Sequence, residues 1–417
     1  MVHVSSSMKF FALVVASPLA ANALLPESAP RFENRHIFHR QVETSIPLNL
    51  KTRQRNGPSR RDVTSIKQDA FELEYIAPVT IDGKSFDLLI DTGSPDTWVT
   101  ATNLTCTQPD GDACPKPEQL SVPSTEKSLG NFVISYVDGA GISGGYIKRP
   151  VKIGNFEVKN QIIGLGWDAK SFPDIGPTHG ILGLSKRRTG FNYTTLFFNM
   201  IDTHILPENS FSIVLFGNAD IDGVRDGGYL TFGGIPKAVK PTSKWASAPL
   251  VDPDGLHTYT IAVDGFKVGG KAVTGLTTFQ KEVVVDSGST YSWVDDHVAL
   301  ALWDAMPGKG DDPAKACSID DLTDPTVKCL NDEVIWKVPC DGKLPEFTVT
   351  VGGIDFAVKK ENLVVEILEG ICFLGVQPAR NGTGILGQTF MRGVISAFDF
   401  KNEGRPEIHF AKYEVAK

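Results

Sequence analysis

One short pattern occurs twice in this chain. At Phe86-Asp-Leu-Leu-Ile-Asp91-Thr92-Gly93-Ser94 an apolar run ends in a carboxylate, a hydroxyl and a glycine. At Val283-Val-Val-Asp286-Ser287-Gly288-Ser289 it does so again. A run of aliphatic and β-branched residues reads as a buried strand. An Asp at the end of such a strand is costly to bury unless it is partnered or used. The glycine lets the backbone turn sharply and approach a neighbour closely. The flanking hydroxyls can fix the carboxylate by hydrogen bonding. A second pattern trails each copy: Gly180-Ile181-Leu182-Gly183-Leu184 and Gly384-Ile385-Leu386-Gly387-Gln388. Gly183 follows Asp91 by 92 residues, and Gly387 follows Asp286 by 101. The order of Asp turn, then apolar-apolar-Gly, therefore recurs once per half. Each glycine-ended strand is expected to pack beside its own Asp turn.

The 417 residues are too many for one small core and suit two domains. With 40 Gly and 26 Pro and no long helical periodicity, the chain reads as many short strands and turns. Phe71 to Tyr75 alternates, and Ala77 to Ile81 leads into the turn Asp82-Gly83. Asn131 to Gly141 reads as a hairpin with Asp138-Gly139 at its tip. Asp296 to Met306 reads as a helix, and the halves meet near residue 245. The stretch 307–341 reads as a loop closed by disulfides.

Two such turns, one from each half, can meet and set two carboxylates side by side. Like charges that close cannot both ionise readily, so the pair tends to hold one proton. One acid and one base result, and a water between them can attack an amide. The chain resembles the pepsin-like aspartic proteases over essentially its whole length. Proton sharing by the dyad is established behaviour of that family. The resemblance implies a mostly β, bilobal pepsin-like acid protease fold, with two pseudo-symmetric β lobes and the cleft between them. It implies an aspartic-type endopeptidase acting on protein or peptide substrates at acidic pH, with apolar residues preferred around the cut bond. Asp91 and Asp286 are the catalytic pair, supported by Thr92, Gly93, Ser94, Ser287, Gly288 and Ser289. Thr92 and Ser287 are expected to bond across the interface, and Ser94 and Ser289 to support the neighbouring carboxylates. Tyr136, with Asp138 and Gly139, matches the flap that covers substrate, and Trp98 matches its supporting indole. Ile181 and Thr290 are expected to face substrate, Ile181 in an apolar subsite. Val137 stands where the family usually has Gly, and Gln388 where it usually has Asp. For Gln388 a structural effect is expected, without loss of the chemistry.

The termini add a second layer. Met1 to Lys9 is a weakly basic lead, Phe10 to Ala20 is apolar, and Ala21-Asn22-Ala23 is a cleavage pattern. Residues 1–23 thus read as a secretory signal peptide, too short to act as an anchor, and a secreted, extracellular protein is expected. Residues 24–61 read as a basic propeptide ending in the dibasic pair Arg60-Arg61, with cleavage after Arg61. Ile46 to Lys51 resembles the core of the family's propeptides, in which a Lys reaches the active carboxylates; Lys51 is the candidate. The segment itself is then an intramolecular inhibitor. The lobes follow as 62–245 and 246–417. Of 41 basic and 49 acidic residues, 9 and 3 lie in residues 1–61, which leaves the remainder at −14. A body so acidic argues against nucleic acid as a partner. No membrane partner is expected, and a monomer is.

Six cysteines in a secreted chain point to disulfides, and six allow fifteen pairings. The resemblance implies Cys106–Cys114 and Cys340–Cys372, with Cys317–Cys329 as the remaining pair. No Cys or His spacing suits zinc, so neither a metal nor a cofactor is expected. Asn103, Asn192 and Asn381 head glycosylation sequons. Gly141-Ile-Ser143-Gly-Gly145 fits the serine-hydrolase nucleophile pattern but has no helix signal after it. Gly265 to Ala272 nearly matches a phosphate loop but lacks its final Ser or Thr. The rival reading from another class is a catalytically silent binding or inhibitor protein of the same fold. Such relatives lose an Asp or its Gly, and both are intact here.

Overall fold

Asp82 and Gly83 both adopt positive φ, 51° and 80°. That is the geometry a two-residue hairpin asks for, and it folds Glu74–Ile81 back on Lys84–Asp91, with Ile81 paired to Lys84. The computed structural model describes residues 41–42, 45–51, 74–107, 119–123, 125–135, 141–170, 180–186, 193–217, 225–251, 257–306, 336–368, 371–380, 382–402 and 404–415. The expected signal peptide, Arg61, Tyr136, Val137, Asp138, Gly139, Cys114, Cys317, Cys329, Asn192 and Asn381 lie outside the described residues.

The architecture is mostly β. One 13-stranded sheet begins at Ala246–Pro249 and continues through Glu407–Ala411, Ile395–Asp399, Ser210–Leu215 and Arg225–Phe232. Ile46–Lys51, Glu74–Ile81, Lys84–Asp91 and Gly180–Gly183 follow. Trp98–Thr107, Phe156–Lys170, Gly141–Ile153 and Asn131–Ser135 complete it. The two halves of the chain are joined within it, because Ser210–Leu215 pairs antiparallel with Ile395–Asp399. At this seam the rings of Phe211 and Phe398 stack 4.4 Å apart, and Tyr259 packs on both. Ile46–Lys51, from the expected propeptide, is an inner strand between Arg225–Phe232 and Glu74–Ile81.

The duplication is visible in the pairing. Lys84–Asp91 runs parallel to Gly180–Gly183, with Asp91 opposite Gly183. Glu282–Val285 runs parallel to Gly384–Leu386, with Val285 opposite Leu386, one residue short of Asp286 and Gly387. Continuous apolar runs suit this position, since residues 88–91 and 283–285 are buried without a break.

The hairpin Asn131–Ser135 and Gly141–Ile153 alternates as a half-covered strand should: Phe132 and Ile134 are buried, while Asn131, Val133 and Ser135 face out. Ser143 lies in the second of these strands, so the nucleophile pattern has no strand-turn-helix context. Gly269 and Gly270 turn a hairpin between Gly265–Val268 and Lys271–Ala272, which rules out a phosphate loop opening a helix. The expected helix is Asp296–Asp304, capped by the Asp295 side chain, which accepts from His297 N at 3.0 Å. Cys340 and Cys372 are disulfide-bonded. Cys106 is disulfide-bonded as well. Among the described residues no helix is long and apolar enough to cross a membrane.

Because Phe398 fills the seam between the halves and is fully buried, Phe398→Ala is expected to cost about 3–5 kcal/mol. Urea unfolding of the purified variant measures it; a cost under about 1 kcal/mol would show that the seam tolerates the cavity.

Candidate active site

The two Asp turns meet. Thr92 Oγ1 donates to Val285 O at 2.8 Å, and Ser287 Oγ donates to Ile90 O at 2.7 Å. Thr92 N donates to Ser287 Oγ at 3.1 Å, and Ser287 N donates to Thr92 Oγ1 at 2.9 Å. Each hydroxyl thus accepts from the backbone of the other turn and donates into the strand behind it. Both residues are fully buried, so these four bonds replace water that neither turn could otherwise reach.

The glycines let the turns come this close. A methyl group on Gly93 would stand 2.5 to 2.7 Å from the carboxyl atoms of Asp286. One on Gly288 would stand 2.6 Å from Asp91 Oδ1. Each glycine is therefore packed against the opposite half's carboxyl group, and no side chain fits there. Gly93 N donates to Asp91 Oδ1 at 2.7 Å, and Gly288 N to Asp286 Oδ1 at 2.8 Å. Behind the turns, a methyl on Gly183 would meet Pro95 and Asp96 backbone, and one on Gly387 the carbonyls of Ser289 and Tyr291. The glycine-ended strands thus brace the two turns in the same way.

The supports differ between the halves. Ser94 Oγ donates to Asp91 Oδ2. Ser289 departs from the expected role: its hydroxyl donates to Tyr291 O at 2.9 Å, leaving Asp286 without that donor. The cause is the path of the second turn. Ser289 O is held by Gln388 N at 2.8 Å, and the nearby Tyr291 carbonyl takes the hydroxyl. Gln388 is fully buried. Its amide donates to Ser287 O at 2.9 Å and accepts from Arg392 at 3.2 Å. Arg392 in turn donates to the Tyr75 hydroxyl at 2.8 Å and lies over the Tyr75 ring.

Burial pushes both acids upward. Asp286 goes well above the usual carboxyl range, because burial and then the charge of Asp91 disfavour its ionised form. For Asp91 burial also dominates, opposed by the Ser94 hydroxyl, Asp286 and the Gly93 amide. Asp91 is 8% exposed and Asp286 2%.

Ile181 packs with Leu89, Trp98 and Phe132, on a strand that is paired on both sides. Trp98 is buried in the same cluster, its ring 6.4 Å from Phe132. Thr290 is half-buried beside the second turn, and Asn103 is exposed. Among the described residues, the one close grouping of metal-type ligands is Cys340, Glu366 and Cys372, and two of these are spent in a disulfide.

The model of the eukaryotic aspartyl protease family matches residues 74–413. The chain belongs to that family. As an aspartyl protease it is a hydrolase of the aspartic endopeptidase type, with the bilobal pepsin-like fold. It is 28% identical over 357 residues to penicillopepsin-1 of Penicillium roqueforti, covering 82% of this chain and 79% of that one. To rhizopuspepsin of Rhizopus chinensis it is 29% identical over 348 residues, covering 82% and 78%. To aspergillopepsin-1 of Aspergillus clavatus it is 27% identical over 377 residues, covering 88% and 84%.

Five residues around this protease's site were not singled out by sequence reasoning: Tyr75, Asp96, Tyr146, Tyr193 and Arg392. Asp96 had a signal, as a carboxylate five residues past Asp91. The others had none, since Arg392 meets Tyr75 across a separation of 317 residues.

An acid whose pKa is raised by folding stabilises the fold while protonated, and that contribution is lost as pH rises through the folded value. Asp286→Asn should therefore be more stable than wild type at neutral pH and equal to it in acid. Each unit of upward shift corresponds to about 1.4 kcal/mol. Melting curves from acid to neutral pH test this, and a gap that stays constant with pH would refute it.

Proposed function

We propose that this protein is a secreted endopeptidase that cuts peptide bonds in proteins in acidic surroundings, with Asp91 and Asp286 as its acid–base pair. The observation that carries the reading is the reciprocal packing of each glycine on the opposite carboxyl group, locked by Thr92 and Ser287. Two carboxyl groups at such distance share a proton. The extra hydroxyl on Asp91 favours its ionised form and leaves the proton on Asp286. Asp91 then takes a proton from a water as the water oxygen bonds to the scissile carbonyl carbon. Asp286 gives its proton to the carbonyl oxygen, and a tetrahedral diol forms. Collapse of the diol breaks the C–N bond, returns the carbonyl and protonates the leaving amine, with the pair again holding one proton. Apolar residues flanking the cut bond are expected from the family, with Ile181 in an apolar subsite.

The leader fits an inhibitory role. Ile46–Lys51 is bonded to strands on both sides, so a cut after Arg61 would leave it docked. Lys51 pairs with Glu74, and Ile76 with Leu89. Lys51 thus lies on the second strand over from the one that ends in Asp91. A lysine there would be attracted by the dyad while the dyad is charged. Acid protonates carboxylates and so weakens that attraction.

Asp91→Asn and Asp286→Asn should each lose peptidase activity by roughly 10²–10⁴-fold or more with the fold retained. Cleavage of a peptide library by the processed protein, with and without a statine-type inhibitor, reads this out. Either variant cutting at the wild-type rate would end the proposal.

The full-length precursor is expected to be inert at neutral pH and to activate in acid, with a new N-terminus near Asp62. Lys51→Ala should move activation toward neutral pH. A precursor fully active at neutral pH, or a mature N-terminus far from Asp62, would contradict this.

A further inference from the structure

Beyond the dyad, Asp96 is the most deeply buried carboxylate on the Asp91 turn, 2% exposed. The Tyr146 hydroxyl donates to its Oδ1 at 3.0 Å, and the Tyr193 hydroxyl donates to the same oxygen. The two phenols also touch, 3.1 Å apart, with their rings 4.8 Å centroid to centroid. Three separate pieces of chain therefore converge on one oxygen atom. Asp96 belongs to the Asp91 turn, and its backbone is braced by Gly183. Tyr146 sits at the base of the Asn131–Gly141 hairpin. There its backbone pairs with Leu129 and Gly130, and its ring packs edge-on against Phe132. Tyr193 precedes the helix Leu196–Asp202.

That hairpin base has little slack. A methyl on Gly164 would stand 2.5 Å from the Phe132 ring, and one on Gly145 would stand 2.7 Å from Trp167. A packed base can transmit a fixed position, provided something ties it to the turn. Apolar contact alone would allow sliding, whereas hydrogen bonds to a carboxylate are directional and comparatively strong. A buried carboxylate is also an expensive way to fill space. We propose that Asp96, Tyr146 and Tyr193 form a positioning bracket that sets the base of the substrate-covering hairpin relative to Asp91. The bracket rests on the proposed function, and its residues act through Asp91 and the hairpin without touching the reacting atoms. Burial raises the Tyr193 phenol far above its ordinary range, so it remains a donor at every pH where an acid protease works.

The test uses the processed enzyme with Tyr193→Phe, Tyr146→Phe and Asp96→Asn. The Phe variants keep the ring packing and remove the donors; the Asn variant keeps an acceptor oxygen. Tyr193→Phe and Tyr146→Phe should each lower kcat/KM about tenfold or more, the loss expected when a catalytic group is misplaced by a fraction of an ångström. Their melting temperatures should fall by only a few degrees, as for one lost buried hydrogen bond, and statine-inhibitor titration should count the same number of active sites. The double Phe variant should fall short of the product of the singles, since both act through Asp96. Asp96→Asn should retain more activity than Asp96→Ala. Amide hydrogen exchange across residues 131–135 and 141–146 should quicken in the Phe variants. Unchanged kcat/KM, losses that merely track melting temperature, or unchanged exchange would each overturn the bracket. If wild type cuts no peptide, the proposed function has failed, and the exchange measurement still decides whether Asp96 fixes the hairpin.

Discussion

The structure depends on two buried carboxyl groups being brought against each other by two glycines. Thr92 and Ser287 exchange hydrogen bonds with each other's backbone, so neither half can slide without breaking bonds in a place water does not reach. The arrangement is costly in charge, since burial and proximity both oppose double ionisation. That cost favours a pair that holds one proton between its two carboxyl groups.

The duplication explains how one chain builds such a contact. Each half makes the same local object: an aliphatic strand, an Asp turn, and a parallel strand whose glycine accepts the turn against it. The antiparallel pairing of Ser210–Leu215 with Ile395–Asp399, with Phe211 stacked on Phe398, joins the halves and sets their relation. The central strand Ile46–Lys51 completes the same sheet.

The symmetry stops at the second shell of contacts. Ser94 bonds its carboxylate, but Ser289 bonds a backbone carbonyl. Behind Ser287, Gln388 links the second turn to Arg392 and Tyr75. Beside Asp91, Asp96 collects two tyrosines. Neither network has a counterpart in the other half among the described residues. Two near-identical motifs thus sit in different electrostatic surroundings.

Much of this was legible in the chain itself. The paired Asp-Thr/Ser-Gly-Ser turns, their trailing glycine strands, the Asp82-Gly83 hairpin and the Asp296 helix all rest on local chemistry: buried runs, positive φ and capping. Such signals lie within a few residues of one another and survive in any context that folds. The partners of Ile181 were not legible, because an apolar residue near an active site reads the same in any packing; its pairing on both sides set it against Leu89, Trp98 and Phe132. Ser289 misled because a hydroxyl chooses among the acceptors within reach, and Tyr291 O became the acceptor once Gln388 had fixed the turn. The Asp96 bracket and the Arg392 link join residues 50 to 317 positions apart. No spacing rule connects such residues, so their meeting was decided by the sheet that carries them.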